Sequence, residues 1–229
     1  MTERRDAPMD KRLIDISENN GEPQWLPIDW PAVVRTGHLN GVIVRAALGI
    51  LRPDHAFATN WQALRQSPLI QGVYSYCVPT GGPTLLANAR AHAEYLWRLV
   101  EQQGGPHADD LPPMLDVEIT NGLTATQLTE WADTALTALQ AVSGRVPVLY
   151  SYEAFFTEFL APLVHHWPIL VSAYQLRPPA LRPSVGWQYT NASRVPGIAT
   201  PVDRDHWWTG AWPGTAAWTQ TFVSTKGAR

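Results

Sequence analysis

The chain has 229 residues, with 17 Lys and Arg against 20 Asp and Glu, and a formal net charge of −3 at pH 7. This balance lacks the basic excess of nucleic-acid and anionic-membrane binders, so we expect no nucleic-acid partner. With 45% hydrophobic and 16% charged residues, the chain has enough apolar material for a packed core. The single cysteine, Cys77, excludes an intramolecular disulfide framework and a Cys-based zinc cluster, and we interpret it as a small buried hydrophobe.

The sequence predicts neither a signal peptide nor a membrane span. The first twelve residues, MTERRDAPMDKR, contain no apolar segment. The longest stretch without Asp, Glu, Lys or Arg, residues 66–89, is interrupted by three prolines and a Gly-Gly pair. No low-complexity linker or helical repeat divides the chain. We therefore predict one domain at residues 13–208, an N-terminal extension at residues 1–12 and a Trp-containing C-terminal tail at residues 209–229.

Eight short apolar, β-branched runs are predicted as strands. They are residues 13–17, 41–49, 70–78, 113–119, 147–152, 169–174, 185–190 and 202–207. Helical periodicity predicts helices over residues 84–103, 124–142 and 153–164. The clearest of these starts with a Thr124 and Gln127 capping box and ends before Gly144.

The order of these elements predicts the fold class. Strands that alternate with helices indicate parallel β-α units, and eight strands in one sheet predict closure into a barrel. The last two connections, residues 175–184 and 191–201, are too short and proline-interrupted for ordinary helices. The prediction is an α/β protein: a single irregular (β/α) TIM-like barrel with eight strands and fewer than eight helices.

Asp116 and Glu118 form the most informative pair. Side chains alternate along a strand, so both carboxylates face the barrel mouth while Leu115 and Val117 face the helices. Two like charges this close disfavour simultaneous ionisation, so one carboxyl can keep its proton near neutral pH and act as a general acid. A solvated strand end, or pairing with an arginine, would explain the same spacing.

Two more acids, Asp15 and Asp203, lie in strand candidates. Taken singly, Asp15 fits an Asx turn or a helix cap, and Asp203 or Asp205 fits a salt bridge with Arg204. Four acids at the mouth of one barrel would instead indicate a catalytic site.

Aromatic residues alternate at mouth-facing spacing in two predicted strands, as Tyr74 with Tyr76 and Trp187 with Tyr189. Each fits core packing, but together with the acids they predict a sugar-binding cleft. The motifs of serine hydrolases, dinucleotide-binding proteins, P-loop proteins and zincins are absent from the sequence.

Short motifs follow one another in a defined order. They are Asp15-Ile16-Ser17, Arg45-Ala46 with Gly49, Gly72-x-Tyr74, Leu115-Asp116-Val117-Glu118, Pro147-x-x-Tyr150, Trp187-Gln188-Tyr189, Val195-Pro196-Gly197 and Val202-Asp203. This order resembles that of the glycoside hydrolase family 25 lysozymes, the Chalaropsis-type N-acetylmuramidases. The resemblance covers residues 13–207.

The resemblance implies an irregular (β/α) barrel that hydrolyses the β-1,4 bond between N-acetylmuramic acid and N-acetylglucosamine in peptidoglycan. It implies Glu118 as general acid and base, Asp116 as its partner, and Asp15 and Asp203 as supporting acids. We predict substrate contacts for seven further residues: Arg45, Tyr74, Tyr76, Tyr150, Tyr174, Trp187 and Tyr189. No metal or cofactor is implied, and we expect a monomer whose partner is the peptidoglycan substrate.

Three positions depart from the family's pattern. The family's W-x-A-x-Y is here Leu170-Val171-Ser172-Ala173-Tyr174, the His that often follows Tyr74 is Ser75, and the Asn common two places after the last Asp is Asp205. These departures concern the shape of the cleft rather than the acid pair. A glycan-binding protein that does not cut its ligand, and a hydrolase of another wall polysaccharide, are the alternatives; retention of all four acids argues against the first.

The spacing of the acid pair also leads to a mechanistic hypothesis. Carboxylates two residues apart approach the leaving oxygen from one side, which suits an acid and its modulator better than an acid and an opposed nucleophile. We therefore hypothesise that the 2-acetamido group of muramic acid attacks the anomeric carbon.

A hypothesis on delivery follows from the absence of a signal peptide. We expect a protein made in the cytoplasm that reaches the bacterial cell wall after release by a holin or on a virion. A specialised secretion system would explain the same absence.

Overall fold

The computed structural model describes residues 10–21, 26–181 and 184–208, so the predicted C-terminal tail and the first nine residues lie outside the described part. The strands are β1 (Asp10–Ile16), β2 (Gly41–Leu48), β3 (Arg52–Pro53), β4 (Ile70–Tyr76), β5 (Met114–Asp116), β6 (Val148–Tyr152), β7 (Ile169–Ser172), β8 (Gly186–Ser193) and β9 (Val202–Trp208). Eight of them close a barrel in the order β1-β2-β4-β5-β6-β7-β8-β9, with β9 pairing back to β1, while β3 only extends the edge of β2. The predicted irregular eight-stranded barrel is confirmed.

The last strand differs from the prediction in its direction. From β1 to β8 the neighbours in the barrel are parallel, but β9 is antiparallel to both β8 and β1. The parallel β-α units predicted from the sequence are therefore wrong for β9, because the short segment between β8 and β9 cannot return the chain to the opposite end of the barrel. As a result, Asp203 at the start of β9 lies at the same end as the last residues of the parallel strands.

The helices in the described ranges are α1 (Trp30–Arg35), α2 (Phe57–Arg65), α3 (Leu85–Gln102), α4 (Ala125–Ser143) and α5 (Glu153–Phe155). The predictions for α3 and α4 are confirmed, including the Thr124 and Gln127 capping box and the left-handed Gly144 at φ 67°. The third predicted helix is broken, because α5 continues as a π turn (Phe156–Leu160) and a 3-10 turn (Ala161–Leu163). No helix among these combines the length and the apolar character needed to cross a membrane.

Alternation along the strands divides the apolar side chains between two sides of the barrel wall. Outward-facing residues such as Ile14, Val44 and Leu115 pack with the helices, and the buried Cys77 belongs to the same outer core. Inward-facing residues form a separate apolar cluster that plugs one end of the barrel: Leu13, Ile43, Leu111, Met114, Val148, Leu170, Val185 and Trp207. Toward the carboxyl ends of the parallel strands the inward positions become polar, so the plug forms the base of a polar cleft.

Gly186 controls how closely β8 approaches β9. A Cβ at this position would lie 2.5 Å from the backbone oxygen of His206 and 2.8 Å from Cδ1 of Leu170. We expect Gly186→Ala to lower the free energy of unfolding by about 1–3 kcal/mol, because the backbone of β9 has to move to relieve the clash. Chemical denaturation measures the loss.

Gly81→Ala is the matched control, since its added Cβ would meet only the end of the Leu123 side chain, at 2.8 Å. We expect a smaller loss in this variant. Equal losses in the two variants would show that the spacing between β8 and β9 is not constrained at Gly186.

Candidate active site

A cleft of about 250 Å³ opens above the apolar plug, at the carboxyl ends of the parallel strands. The four acids predicted from the sequence all line it, together with five of the seven predicted substrate-contact residues. The lining residues are Asp15, Ser17, Asn19, Ile43, Arg45, Tyr74, Tyr76, Met114, Asp116, Glu118, Tyr150, Leu170, Tyr174, Gln188 and Asp203. Residues distant in sequence are brought together because each lies at the same end of a neighbouring strand.

The structure does not bring Trp187 and Tyr189 to this cleft. Strand alternation turns Gln188 inward, so its two neighbours in sequence lie on the other face of β8. There Trp187 Nε1 donates a hydrogen bond to the backbone oxygen of Ala173 (2.6 Å), and the rings of Trp187 and Tyr189 stack on His206 at 6.0 and 4.7 Å. The sequence pattern predicted the alternation correctly but assigned the wrong face to the cleft.

Asp15 and Asp203 face each other across the β1 and β9 pair. Burial, and then the charge of Asp203, raise the pKa of Asp15 well above its ordinary value. Burial also raises the pKa of Asp203 to about 6, while its hydrogen bond with Asp15 lowers it. Two carboxyl groups can share a hydrogen bond only if one of them keeps its proton. The raised pKa of Asp15 assigns this proton to Asp15 at pH values where Asp203 is ionised.

Asp116 and Glu118 alternate with buried outward-facing residues, as the sequence predicted. Burial, followed by the charges of Glu118 and Asp15, raises the pKa of Asp116 well above its ordinary value, and the positive charge of Arg45 opposes this shift. Burial and the charge of Asp203 raise the pKa of Glu118, and a hydrogen bond with Tyr150 lowers it. The two carboxyl groups therefore resist losing both protons together.

Arg45 is held in place by two buried acids. Its Nε lies 2.8 Å from Oδ2 of Asp54, and its Nη2 lies 3.3 Å from Oε1 of Glu18. Backbone amides fix these acids in turn, since Glu18 N–H donates to Asp54 and His55 N–H donates to Glu18, both at 3.0 Å. Arg45 is thus a fixed positive charge in the cleft rather than a mobile side chain.

Gln188 connects the acids to a group of hydroxyls, and the sequence analysis did not identify it as a site residue. Its Nε2 donates to Oδ2 of Asp15 at 2.8 Å. Its Oε1 accepts from the hydroxyls of Tyr150 (2.8 Å), Ser172 (2.9 Å) and Tyr174 (3.1 Å). Its position between two outward aromatic residues in an alternating strand was the signal that could have revealed it.

Asp205 lies one inward position beyond Asp203 on β9, beside Leu13 of β1 and Gln188 of β8. It is 1% exposed, and neither of its carboxyl oxygens has a hydrogen-bond partner among the described residues. Burial, together with the charges of Asp15 and Asp203, raises its pKa well above the ordinary value. The salt bridge with Arg204 considered from the sequence does not form, because the two side chains point to opposite faces of β9.

Within the described ranges, no three His, Cys, Asp or Glu side chains are arranged to hold a metal ion. A larger groove of about 750 Å³ lies between α4 and the segment that follows α5. None of the predicted site residues lines that groove, so the chemistry is assigned to the smaller acidic cleft.

Comparison with known proteins gives concordant matches. The model of the family described as glycosyl hydrolases family 25 matches residues 14–198. The uncharacterized protein YegX of Escherichia coli K12 is 29% identical over 183 residues, covering 77% of this chain and 63% of that protein. Lysozyme M1 of Streptomyces globisporus is 24% identical over 210 residues, covering 84% of this chain and 66% of that protein. The chain thus spans slightly less than two thirds of each relative.

A solved structure shares the fold. The bacterial lysozyme of Streptomyces coelicolor superimposes with a TM-score of 0.75 at 22% identity, covering 93% of this chain and 98% of that one. At this identity the likeness supports the barrel architecture alone.

The buried Asp205 gives a prediction about stability and pH. Its pKa is higher in the folded than in the unfolded chain, so the folded state loses stability as pH rises from the ordinary Asp range toward the raised pKa. Asp205→Asn has no such proton to lose. We therefore expect the stability of the variant relative to the wild type to increase with pH, by up to about 1.4 kcal/mol per pH unit.

Chemical denaturation between about pH 4 and pH 8 measures this difference. Asp109→Asn is the control, because it makes the same change at an exposed loop position and should leave the pH dependence unaltered. If Asp205→Asn and the wild type follow the same pH dependence, Asp205 does not carry the proton assigned to it.

Proposed function

The chain belongs to the glycosyl hydrolases of family 25, and on that premise we propose that it is a muramidase. It hydrolyses the β-1,4 bond between N-acetylmuramic acid and N-acetylglucosamine in bacterial peptidoglycan. One observation carries the proposal: four acids line a single cleft. Asp15 lies on β1, Asp116 on β5 and Asp203 on β9, and Glu118 follows two residues after the end of β5. The similarity to a protein named lysozyme supports the choice of substrate.

Glu118 is the general acid and base. Burial and the charge of Asp203 raise its pKa, so it retains a proton at higher pH than an ordinary glutamic acid. It remains partly exposed in the cleft, where a glycosidic oxygen can reach it. Its first task is to protonate the leaving oxygen, and its second is to remove a proton from the attacking water.

Asp116 is the partner that supports the positive charge of the transition state in its ionised form. The Arg45 guanidinium favours that form, although burial and the charges of Glu118 and Asp15 keep the pKa of Asp116 well above its ordinary value. An ionised Asp116 orients the 2-acetamido group of the bound muramic acid and stabilises the positive charge that develops on it. Asp15 and Asp203 support the pair by their charge. Both raise the pKa of Asp116, and Asp203 raises the pKa of Glu118.

The substrate itself supplies the nucleophile. Asp116 and Glu118 lie two residues apart at the end of β5, so they approach the leaving oxygen from one side, whereas a direct nucleophile has to approach the anomeric carbon from the face opposite the acid. The carbonyl oxygen of the 2-acetamido group attacks that carbon as Glu118 protonates the leaving oxygen. Water then opens the cyclic intermediate, with Glu118 accepting its proton.

Product analysis tests this function. Digestion of purified peptidoglycan should release muropeptides with a reducing muramic acid end, identified by mass spectrometry after borohydride reduction. Glu118→Gln should reduce the rate by at least about 10²-fold, and Asp116→Asn by roughly 10²- to 10⁴-fold. Glu101→Gln, at an exposed position in α3, is the matched control and should keep the wild-type rate.

Other outcomes would identify the alternatives. Fragments with a reducing glucosamine end would contradict the muramidase assignment. Binding to peptidoglycan without release of any fragment would point to a glycan-binding protein instead.

A further inference from the structure

β3 lies outside the closed barrel and brings the chain back beside Arg45. The turn after β2 begins at Gly49, with φ 67°, and β3 then pairs antiparallel with the end of β2. Asp54 follows β3 directly, and its backbone N–H donates to the backbone oxygen of Ala46 at 2.9 Å. This hairpin therefore carries two charged residues, Arg52 and Asp54, to the neighbourhood of the cleft-lining Arg45.

A β-bulge in β2 fixes the place of Arg45. The register between β2 and β4 shifts between Arg45 and Ala47, so Ala46 is an extra residue in β2. Bulges are common next to active sites, where they redirect a side chain. The hydrogen bond from Asp54 ends on this extra residue, so the hairpin and the bulge hold each other in position.

Four charged side chains form one chain of ion pairs beside the cleft, in the order Arg52, Glu18, Arg45 and Asp54. Nη2 of Arg52 and Nη2 of Arg45 both contact Oε1 of Glu18, the second at 3.3 Å. Nε of Arg45 lies 2.8 Å from Oδ2 of Asp54. Glu18 and Asp54 are buried, whereas the Arg52 side chain is 51% exposed and does not line the cleft.

The balance of charge in this ion-pair chain depends on Arg52. Arg45 contacts two carboxylates, so without Arg52 the remaining three groups carry an excess of negative charge. Arg52 adds the second cation and makes the ion-pair chain neutral. A buried carboxylate without full compensation is costly, and an excess negative charge here would disfavour the ionisation of further carboxyl groups in the cleft.

Strand register places the ion-pair chain within electrostatic range of Asp116. Arg45 lies opposite Tyr74 across β2 and β4. Asp116 lies opposite Tyr76 across β4 and β5. Two strand spacings separate the backbones of Arg45 and Asp116 by about 10 Å, and both side chains line the cleft. Burial raises the pKa of Asp116 most, and the positive charge of Arg45 opposes this rise.

We propose that Arg52 is a positioning residue that acts from outside the cleft: by pairing with Glu18, it leaves the positive charge of Arg45 free to favour the ionised form of Asp116. The proposal deepens the proposed function and rests on it for the role of Asp116. Arg52 does not contact the substrate in this arrangement. Its effect reaches the reaction through charge alone.

Other titratable and charged groups also lie within electrostatic range of Asp116. They are Glu118 beyond the end of β5, Asp15 on β1, Arg45 on β2, Tyr74 and Tyr76 on β4, Cys77 directly after β4, Tyr150 on β6 and Asp203 on β9. All of these groups remain when Arg52 or Glu18 is substituted. A change in the ionisation of Asp116 then reports the charge of the ion-pair chain.

The experiment follows the carboxyl group of Asp116 by NMR in protein labelled with ¹³C at aspartate side chains, with the signal assigned by its loss in Asp116→Asn. Arg52→Gln leaves Glu18 with the charge of Arg45 alone. We expect this variant to reduce the ratio of ionised to protonated Asp116 at a fixed pH by roughly threefold, the effect of one unit charge about 12 Å away at an effective dielectric constant of about 40. Arg52→Lys keeps the charge and should restore the wild-type ratio.

Glu18→Gln is the opposite test, because it removes a negative charge from the same ion-pair chain. We expect the ratio of ionised to protonated Asp116 to rise by a similar factor, roughly threefold. The double variant of Arg52→Gln with Glu18→Gln removes one charge of each sign and should return close to the wild-type ratio. A role limited to packing would not give opposite changes that cancel. Arg90→Gln, at an exposed position on α3 outside the cleft lining, is the matched control and should leave the ratio unchanged.

The rate of peptidoglycan hydrolysis gives a second measurement. Arg52→Gln favours the protonated form of Asp116, so the acidic limb of the kcat/KM profile should move to higher pH. The loss of rate relative to the wild type should therefore shrink as pH rises.

An unchanged ratio in Arg52→Gln would overturn the proposal, whether or not Glu18→Gln folds. So would an Arg52→Lys variant that behaves like Arg52→Gln, since charge would then not be the cause. The NMR measurement needs no substrate, so a failure here is distinct from a failure of the muramidase assignment, which would appear in the product analysis alone.

Discussion

Crowding of carboxyl groups is the constraint on which the rest of this structure depends. Asp15, Asp116, Glu118 and Asp203 share one cleft, Asp205 lies buried beneath them, and Arg45 is the single Lys or Arg among the lining residues. Two unit charges about 5 Å apart at an effective dielectric constant of 20 repel by about 3 kcal/mol. Full ionisation of the cluster is therefore costly, and the cleft holds protons at pH values where exposed carboxyl groups have lost them.

The barrel keeps these groups together despite their repulsion. The inward apolar plug closes one end, and the outward faces of the same strands are anchored by the helical shell. Glu18 and Asp54 fix Arg45, and Gln188 ties Asp15 to β6 and β7. Hydrophobic burial stabilises the barrel, and this stability keeps the repelling carboxyl groups close together in the cleft, where they serve catalysis.

Much of this architecture could be predicted from the sequence. Period-two alternation around Asp116 and Glu118 identified both the inward carboxylates and the outward apolar residues, and the Thr124 and Gln127 capping box located the start of α4. The short connection before β9 predicted the missing helix, but the same shortness also requires β9 to run antiparallel, which the sequence analysis did not infer. The face of β8 was misassigned, because alternation alone cannot say which of two faces is inward when both carry large or polar residues.

The cleft also contains features that local patterns could not predict. The hydrogen-bond cluster around Gln188 joins residues of β6, β7 and β8, and the surroundings of the buried Asp205 carboxyl depend on which groups lie across β1 and β8. Short helices such as α1 and α2 offered too few turns for a clear period. These are tertiary properties, and they concern the proton arrangement of the site rather than its location.

In the proposed mechanism the acid pair at the end of β5 acts with the acetamido group of the substrate as the nucleophile. NMR of the anomeric proton of the first-formed product tests it most directly. We expect muramic acid to be released as the β anomer, because two displacements at the anomeric carbon retain its configuration. Initial release of the α anomer would show a single displacement by water and contradict the account.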